Sequence, residues 1–283
     1  MLINNRLLAK ISGTVYDWSI DLNNVYTGSK TIGGLTFSAG DRLYIGGDMP
    51  FNHRYIEVST VNAIASVASI ELWNGKAWKA ALDTTDYTDV SGVSLAATGI
   101  LQWTPDRDES WQLQSRSQDI SDLSTTRIYD MYWAKISFSA DLTPGTALKY
   151  VGHRFSNESD MGGRYPELLK SATKLAFSSG RTTWNDVLVE ASEVVVRDLR
   201  KQRLIVSPGQ ILGWELFTEA ATHKAAELIF NAFGESQEDK KGAARTAYDE
   251  ALSAVAIGGG IDQNADGKLS RDERYNTVGL MRR

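Results

Sequence analysis

The sequence predicts an α+β protein of two domains: an antiparallel β-sandwich, jelly-roll-like, over residues 1–160, then an α-helical bundle over 161–257. A loop and a basic arm, 258–283, close the chain. Three observations predict this. Composition shifts near residue 160: six of the eight tryptophans precede it, among Ser, Thr, Gly and Tyr, while Ala, Glu, Lys and Leu dominate after it. Short stretches before the shift alternate apolar and polar residues, the period of a strand. Longer stretches after it repeat apolar residues at three and four, the period of a helix. A chain of 283 residues with an apolar share of 42% can bury cores of this kind.

The clearest strand pair is SIELW-NG-KAWKA, residues 69–80. Asn74-Gly75 predicts a two-residue type I′ hairpin, because both central residues of that turn take positive φ. Ile70, Trp73 and Trp78 suit a pleated surface. In YWAKISFSA, Ala134, Ile136 and Phe138 alternate with Trp133, Lys135 and Ser137. Pro144-Gly145 then turns the chain, and ALKYVG is the next strand. DRLYIGG, HRYIEVS and GILQW are further strands, and several at such spacing predict a sandwich. The domain boundary is placed in the polar, glycine-containing stretch from Ser156 to Pro166.

Three helices follow. The first begins around Thr183 and puts Trp184, Val187, Leu188, Ala191, Val195 and Leu199 on one face. It ends in RDLRKQR, cations suited to the negative end of a helix dipole. The second is predicted from Ser207-Pro208, with Ser as N-cap and Pro at the first position. Phe217, Ala221, Ala225, Leu228, Ile229, Ala232 and Phe233 give it a stripe, and Gly234 stops it. The third starts near Ser236 and buries Ala244, Tyr248, Ala251, Leu252 and Val255, before Gly258-Gly259-Gly260. A shorter helix is placed over 166–176, and together these read as a small antiparallel bundle.

The stretch D-Q-N-A-D-G-K-L-S-R-D-E, Asp262 to Glu273, has the spacing of a calcium loop of the EF-hand type. Asp262, Asn264 and Asp266 stand at positions one, three and five, and Gly267 at six, where such loops turn sharply. Lys268 offers its backbone carbonyl, Ser270 its hydroxyl directly or through water, and Glu273 both carboxylate oxygens. Leu269 supplies the apolar residue of the short pairing segment. Ca²⁺ is therefore the expected cofactor. Glycines separate the preceding helix from the loop, and no second hand pairs with it. This predicts a structural clip rather than a sensor, which needs an opening helix pair.

Other chemistry is sparse. The chain has no cysteine, which excludes disulfides and thiolate sites. Its net charge of −5 argues against tight nucleic-acid binding, which needs cations against phosphate. No run of about 18 apolar residues spans a membrane. The N-terminus is not read as a signal peptide, since Arg6 and Lys10 break its apolar stretch. His53, His153 and His223 are far apart, and no hydrolase or phosphate-loop motif occurs. Asp83, Asp86 and Asp89, and Asp106, Asp108 and Glu109, are clusters that could supply paired carboxylates for glycoside cleavage, and read as solvated loops. Trp73, Trp78, Trp103, Trp111 and Trp133 fit either a sugar-stacking platform or a sandwich core or interface, and the core is the commoner use. Arg271, Arg274, Arg282 and Arg283 make a basic tail or an arm for an acidic partner.

From Thr183 onward the sequence resembles the head–tail adaptor (connector) proteins of tailed bacteriophages. The residues that carry this are WNDVLVEASEVVVRDLRKQRLI, SPGQILGWELFTEAATHKAAELIFNAFGE, EDKKGAARTAYDEALSAVAI and IDQNADGKLSRDER. The shared pattern is an amphipathic helix ending in a basic patch, a proline-started helix rich in Ala, Leu and Ile, and a third helix with an aromatic in an alanine-rich face. An Asp-rich turn and a terminal arm close it. The resemblance implies a non-enzymatic virion protein at the neck, in a ring of about twelve copies. That ring would dock beneath the portal, meet a downstream neck or tail protein and let genomic DNA pass. The first 155 residues lie outside the resemblance. The competing reading is a calcium-stabilised carbohydrate-binding or adhesion protein, at a tail tip or a cell surface.

Overall fold

A computed structural model describes residues 5–31, 40–104, 111–116, 118–126, 130–270 and 273, without the side chains of 256–258. The chain is α+β. Contacts divide it into two compact units between Gly152 and His153, with Ala265–Lys268 grouped with the first.

The first unit is two antiparallel sheets. Its strands are β1 (Asn5–Ile11), β2 (Thr14–Asp17), β3 (Lys30–Thr31), β4 (Arg42–Gly47), β5 (His53–Thr60) and β6 (Ala68–Trp73). They continue as β7 (Trp78–Ala80), β8 (Leu82–Asp86), β9 (Gly99–Thr104), β10 (Tyr132–Phe138) and β11 (Ala147–Gly152). One sheet runs β2-β1-β4-β10-β6-β7 and the other β3-β11-β5-β9-β8. A one-turn helix, α1 (Ser19–Leu22), follows β2.

Period two explains the core. Ala134, Ile136 and Phe138 of β10 join Leu43, Ile70, Ile56, Leu101 and Leu148 in one cluster drawn from both sheets. Each such aliphatic side chain contributes about 1.5–3 kcal/mol when fully buried. Trp133 points the other way and is buried as well. It joins Leu8, Tyr44, Trp73, Ile120 and Leu123 in a second cluster. A 3-10 turn, Ser121–Leu123, supplies part of this cover. Asp122 anchors it, accepting from Lys10 Nζ at 2.6 Å and from the Tyr44 hydroxyl at 2.8 Å. Trp133 is thus covered on the second face, while Lys135 and Ser137 on that face stay partly exposed, so the alternation holds from Ala134 to Phe138.

One turn differs from expectation. β6 and β7 pair with Trp73 opposite Trp78, so the loop holds four residues, not two. Only Gly75 has positive φ there. Asn74 uses its side-chain oxygen to accept the amides of Lys76 and Ala77, at 3.1 and 2.8 Å, in place of an I′ turn. Two-residue turns with both φ positive occur instead at Ser12-Gly13, between β1 and β2, and at Ser91-Gly92, closed by Val90 and Val93. The turn at Pro144-Gly145 joins strands of different sheets, since β10 lies between β4 and β6 while β11 lies between β3 and β5.

The second unit is helical: α2 (Glu158–Arg164), α3 (Ser171–Phe177), α4 (Asn185–Lys201), α5 (Thr218–Ala232) and α6 (Glu238–Gly258). α2 lies within the stretch to which the sequence assigns the domain boundary. Its start is capped reciprocally: the Asn157 side chain accepts from Ser159 and Asp160, and Asp160 accepts from the Asn157 amide. The predicted face of α4 is buried from Trp184 to Leu199, and Val189, Val194 and Val196 are buried on its other sides. The second predicted helix is shorter than expected. Ser207-Pro208 starts only a 3-10 turn, Pro208–Gln210, and α5 begins at Thr218. The amides of Leu212 and Gly213 donate to the Gly260 carbonyl, at 3.1 and 2.9 Å, and are lost to a continuous helix. Among the described residues no helix is long and apolar enough to cross a membrane.

Candidate metal loop and buried polar sites

The loop from Asp262 is held at its entry by the 206–213 segment. Ile211 and Ile261 form an antiparallel bridge. The Asp262 amide donates to the Gln210 carbonyl at 2.8 Å, and Gln210 Nε2 donates to the Asp262 carbonyl at 2.8 Å. Gln210 Oε1 accepts from Val206 and Ser207, at 2.7 and 3.1 Å. A Cβ on Gly213 would lie 2.9 Å from the Gly260 Cα, so this approach requires glycine.

Glu273 closes the loop. Its Oε1 accepts from the amides of Gln263 and Asn264 at 2.8 and 3.2 Å, and Oε2 from Ser270 at 2.8 Å. Ser270 Oγ in turn accepts from the Glu273 amide at 3.3 Å. The Gly260 amide donates to the Glu273 carbonyl at 3.2 Å, so the two ends of the loop meet. Asp266 is exposed and accepts from the Lys268 amide at 2.8 Å. Gly267 has φ +83°, the sharp turn its position predicts.

Of the expected ligands, Asp262 and Glu273 are buried, and Asn264, Asp266 and Ser270 are exposed. The donors are hard oxygens, the chemistry a calcium ion takes. In this arrangement the Glu273 carboxylate serves backbone amides, so ligation requires it to share or exchange them. Among the described residues no three His, Asp or Glu side chains converge as a metal cage.

Burial alone would raise the Glu273 carboxyl, but the hydrogen bonds from Ser270, Asn264 and Gln263 outweigh it and hold it below the usual range. A depressed carboxyl stabilises the fold above its unfolded value of about 4.3 and loses that contribution as pH falls through the folded value. The expected outcome is that wild type loses more melting temperature than Glu273→Gln between about pH 6 and about pH 3. Parallel pH profiles for the two proteins would contradict it.

The other candidates resolve into scaffold. Asp86 accepts from Thr88 and Ser94, and Asp89 from the Gly92 amide, so these carboxylates hold loop backbone. Asp106, Asp108, Glu109, Arg271, Arg274, Arg282 and Arg283 lie outside the described residues. Trp73, Trp103 and Trp133 are buried, and Trp78 and Trp111 are half-buried against the same clusters. His53 is buried, which lowers its pKa to about 3, with neighbouring Arg54 adding to the effect.

Three buried polar centres carry no signal in the sequence. Arg54 donates to the His53 carbonyl at 2.7 Å and to Asn5 Oδ1 at 2.9 Å, with its guanidinium 3.6 Å from the Phe51 ring centroid. Burial lowers it to about 9, partly offset by Asp48. His223 is buried, and its Nδ1 lies 2.7 Å from the Tyr165 hydroxyl. Burial and then Arg164 lower its pKa, against Glu219. Lys174 is buried with Glu158 at 2.7 Å, and donates to the Thr182 carbonyl at 2.9 Å. Each pairs residues far apart in the chain, whereas motif reading sees only local spacing.

No known protein family, characterised protein or solved structure matches this chain.

Proposed function

We propose that this chain is a structural virion protein of the head–tail junction of a tailed bacteriophage, without enzymatic activity. In this reading it forms a ring that joins the portal to the neck or tail protein below and continues the DNA channel. The β unit is a jelly-roll-like sandwich. The loop with Asp262, Asn264, Asp266, Lys268, Ser270 and Glu273 is EF-hand-like and holds Ca²⁺, which fixes the direction of the C-terminal arm.

The observation that carries the reading is the order of features after residue 183. α4 ends in Arg197, Arg200 and Lys201, and Arg203 follows it. The capped Ser207-Pro208 turn and the alanine-rich α5 follow. α6 buries Tyr248 beside Ala244 and Ala251, and its hydroxyl donates to Asp198 of α4 at 2.8 Å. The Asp-rich loop and the basic end come last. A modest negative charge suits a channel past which DNA moves without sticking.

An antibody to the β unit tests this on particles from the source, by electron microscopy. Label at the junction of head and tail is expected. Label at the tail tip would move the assignment to the calcium-stabilised glycan-binding reading. For the ion, calcium over chelator is expected to raise the melting temperature of wild type, and not of Asp262→Ala/Asp266→Ala. No shift in wild type would remove calcium from the proposal.

A further inference from the structure

We propose that one end of the β unit, formed by the 61–67, 88–95 and 139–143 segments, docks onto the basic C-terminal end of α4 in a second copy of this chain. The inference deepens the ring reading and rests on it only for closure, not for the contact.

The three segments are tied together by hydrogen bonds. The buried Asn62 side chain donates to the carbonyls of Ile64 and Ser94, at 2.9 and 3.0 Å. It accepts from the amides of Ile64 and Thr143, at 3.1 and 2.9 Å, and from the Thr143 hydroxyl at 3.0 Å. Ser66 bridges Val93 and donates its hydroxyl to the Ala140 carbonyl at 2.9 Å. The Val67 amide donates to Ser139 Oγ at 2.9 Å. Yet this rigid frame exposes Val61 at 50%, Val67 at 55% and Val90 at 52%, with Ile64 at 40%. All four are β-branched and lose little side-chain entropy when covered. Exposed apolar residues held on one hydrogen-bonded frame are what an interaction surface offers.

Charge selects the occupant. The sequence has no Lys or Arg between Arg54 and Lys76, or between Lys79 and Arg107. The charged residues within the three segments are Asp89 and Asp141. The fitting counterpart is therefore apolar at its centre and cationic around it, and the chain carries one. Val206 is 73% exposed just after the end of α4. Arg197, Lys201 and Arg203 are exposed around it in sequence. Asp198, the acid among them, is engaged by Tyr248 and Lys201. Arg200 Nε donates to the Val206 carbonyl at 3.0 Å, which fixes the turn that presents Val206.

The two surfaces are different, so the contact is heterologous. It repeats copy after copy in one direction, and either closes into a ring or continues as a filament.

The test uses the full chain and two surface variants, in sedimentation velocity up to about 200 μM, a range that detects contacts of micromolar strength. Wild type is expected to associate with concentration, more weakly as salt rises. Ile64→Glu/Val67→Glu removes the apolar surface, and Arg197→Glu/Lys201→Glu/Arg203→Glu the basic one. Each variant alone is expected to show association weakened at least about tenfold, as loss of central interface anchors does. Both should keep the wild-type circular dichroism, with only a small fall in melting temperature for the triple variant, which reverses cations at the C-terminal end of α4. Mixed together, each retains one good surface, so the pair should form a dimer and stop there. A monomeric wild type, association indifferent to both variants, or a mixture that stays monomeric overturns the proposal. Failure of the neck assignment reads differently: label away from the junction with the dimer still formed removes the phage reading and leaves the contact.

Discussion

Replacing Trp184 with Ala is expected to unfold the helical unit or bring it close to unfolding. Trp184 is fully buried at the start of α4. Its ring meets Phe177 edge-on at 5.0 Å, with the Arg181 guanidinium 5.0 Å from its centroid. Its Nε1 donates to the Leu168 carbonyl at 2.7 Å, and its amide to Glu158. Truncating a buried tryptophan costs about 3–5 kcal/mol through lost transfer and the cavity left. The stranded Leu168 carbonyl adds about 1–3 kcal/mol. Domains are stable by only about 5–15 kcal/mol, so little is left. Trp184→Phe keeps the ring contact and loses the donor, and should fall between. Urea unfolding followed by far-UV circular dichroism measures all three. A loss under about 1 kcal/mol for the alanine variant would contradict the packing described, since that is a surface-sized effect.

The second large effect is expected at Gln210. Its side chain accepts from the amides of Val206 and Ser207 and donates to the Asp262 carbonyl, from a buried position. Gln210→Ala leaves those groups to find water or go unpaired, at about 1–3 kcal/mol for each that stays buried. A total near 3 kcal/mol is expected, since Val206 is exposed and its amide is resolvated. Hydrogen exchange locates the damage: faster exchange at the amides of 206 and 207, while the 262 amide, which donates to the Gln210 main-chain carbonyl, keeps its partner. Gln210→Glu keeps the acceptor and loses the donor to the Asp262 carbonyl, so it should spare the amides of 206 and 207. Equal loss at all three amides in both variants would mean that the segment opens as one piece, whatever stands at 210.

The contrast between these residues shows what the sequence carries. Trp184 was legible, because it sits in phase with Val187, Leu188 and Ala191, and period 3.6 is a local property. Gln210 was not. Its partner lies 52 residues away, and no spacing rule connects them. The same division explains the elements. β4, β5, β6, β9, β10 and β11 carry apolar or aromatic runs bounded by turn residues. β8, LDTTD, is exposed at a sheet edge and has no alternation to read. The start of α5 was misplaced because Ser207-Pro208 is a real local cap, while the competing acceptor, the Gly260 carbonyl, is distant. In the loop, spacing gave the donor types and the turn at Gly267. It did not show that Glu273 faces the amides of 263, 264 and 270, because hydrogen bonds to backbone leave no mark on side-chain pattern.

The loop at Asn74 has a consequence for the chemical ageing of the protein. Asn-Gly pairs deamidate readily, because glycine lets its amide nitrogen reach the preceding side-chain carbon and close a succinimide. Here the Asn74 carboxamide oxygen is held by the amides of Lys76 and Ala77. The rotation that closes the ring must break both bonds, so damage waits on an opening of the turn between β6 and β7. The mass gain at Asn74 in stored protein therefore acts as a clock that counts those openings.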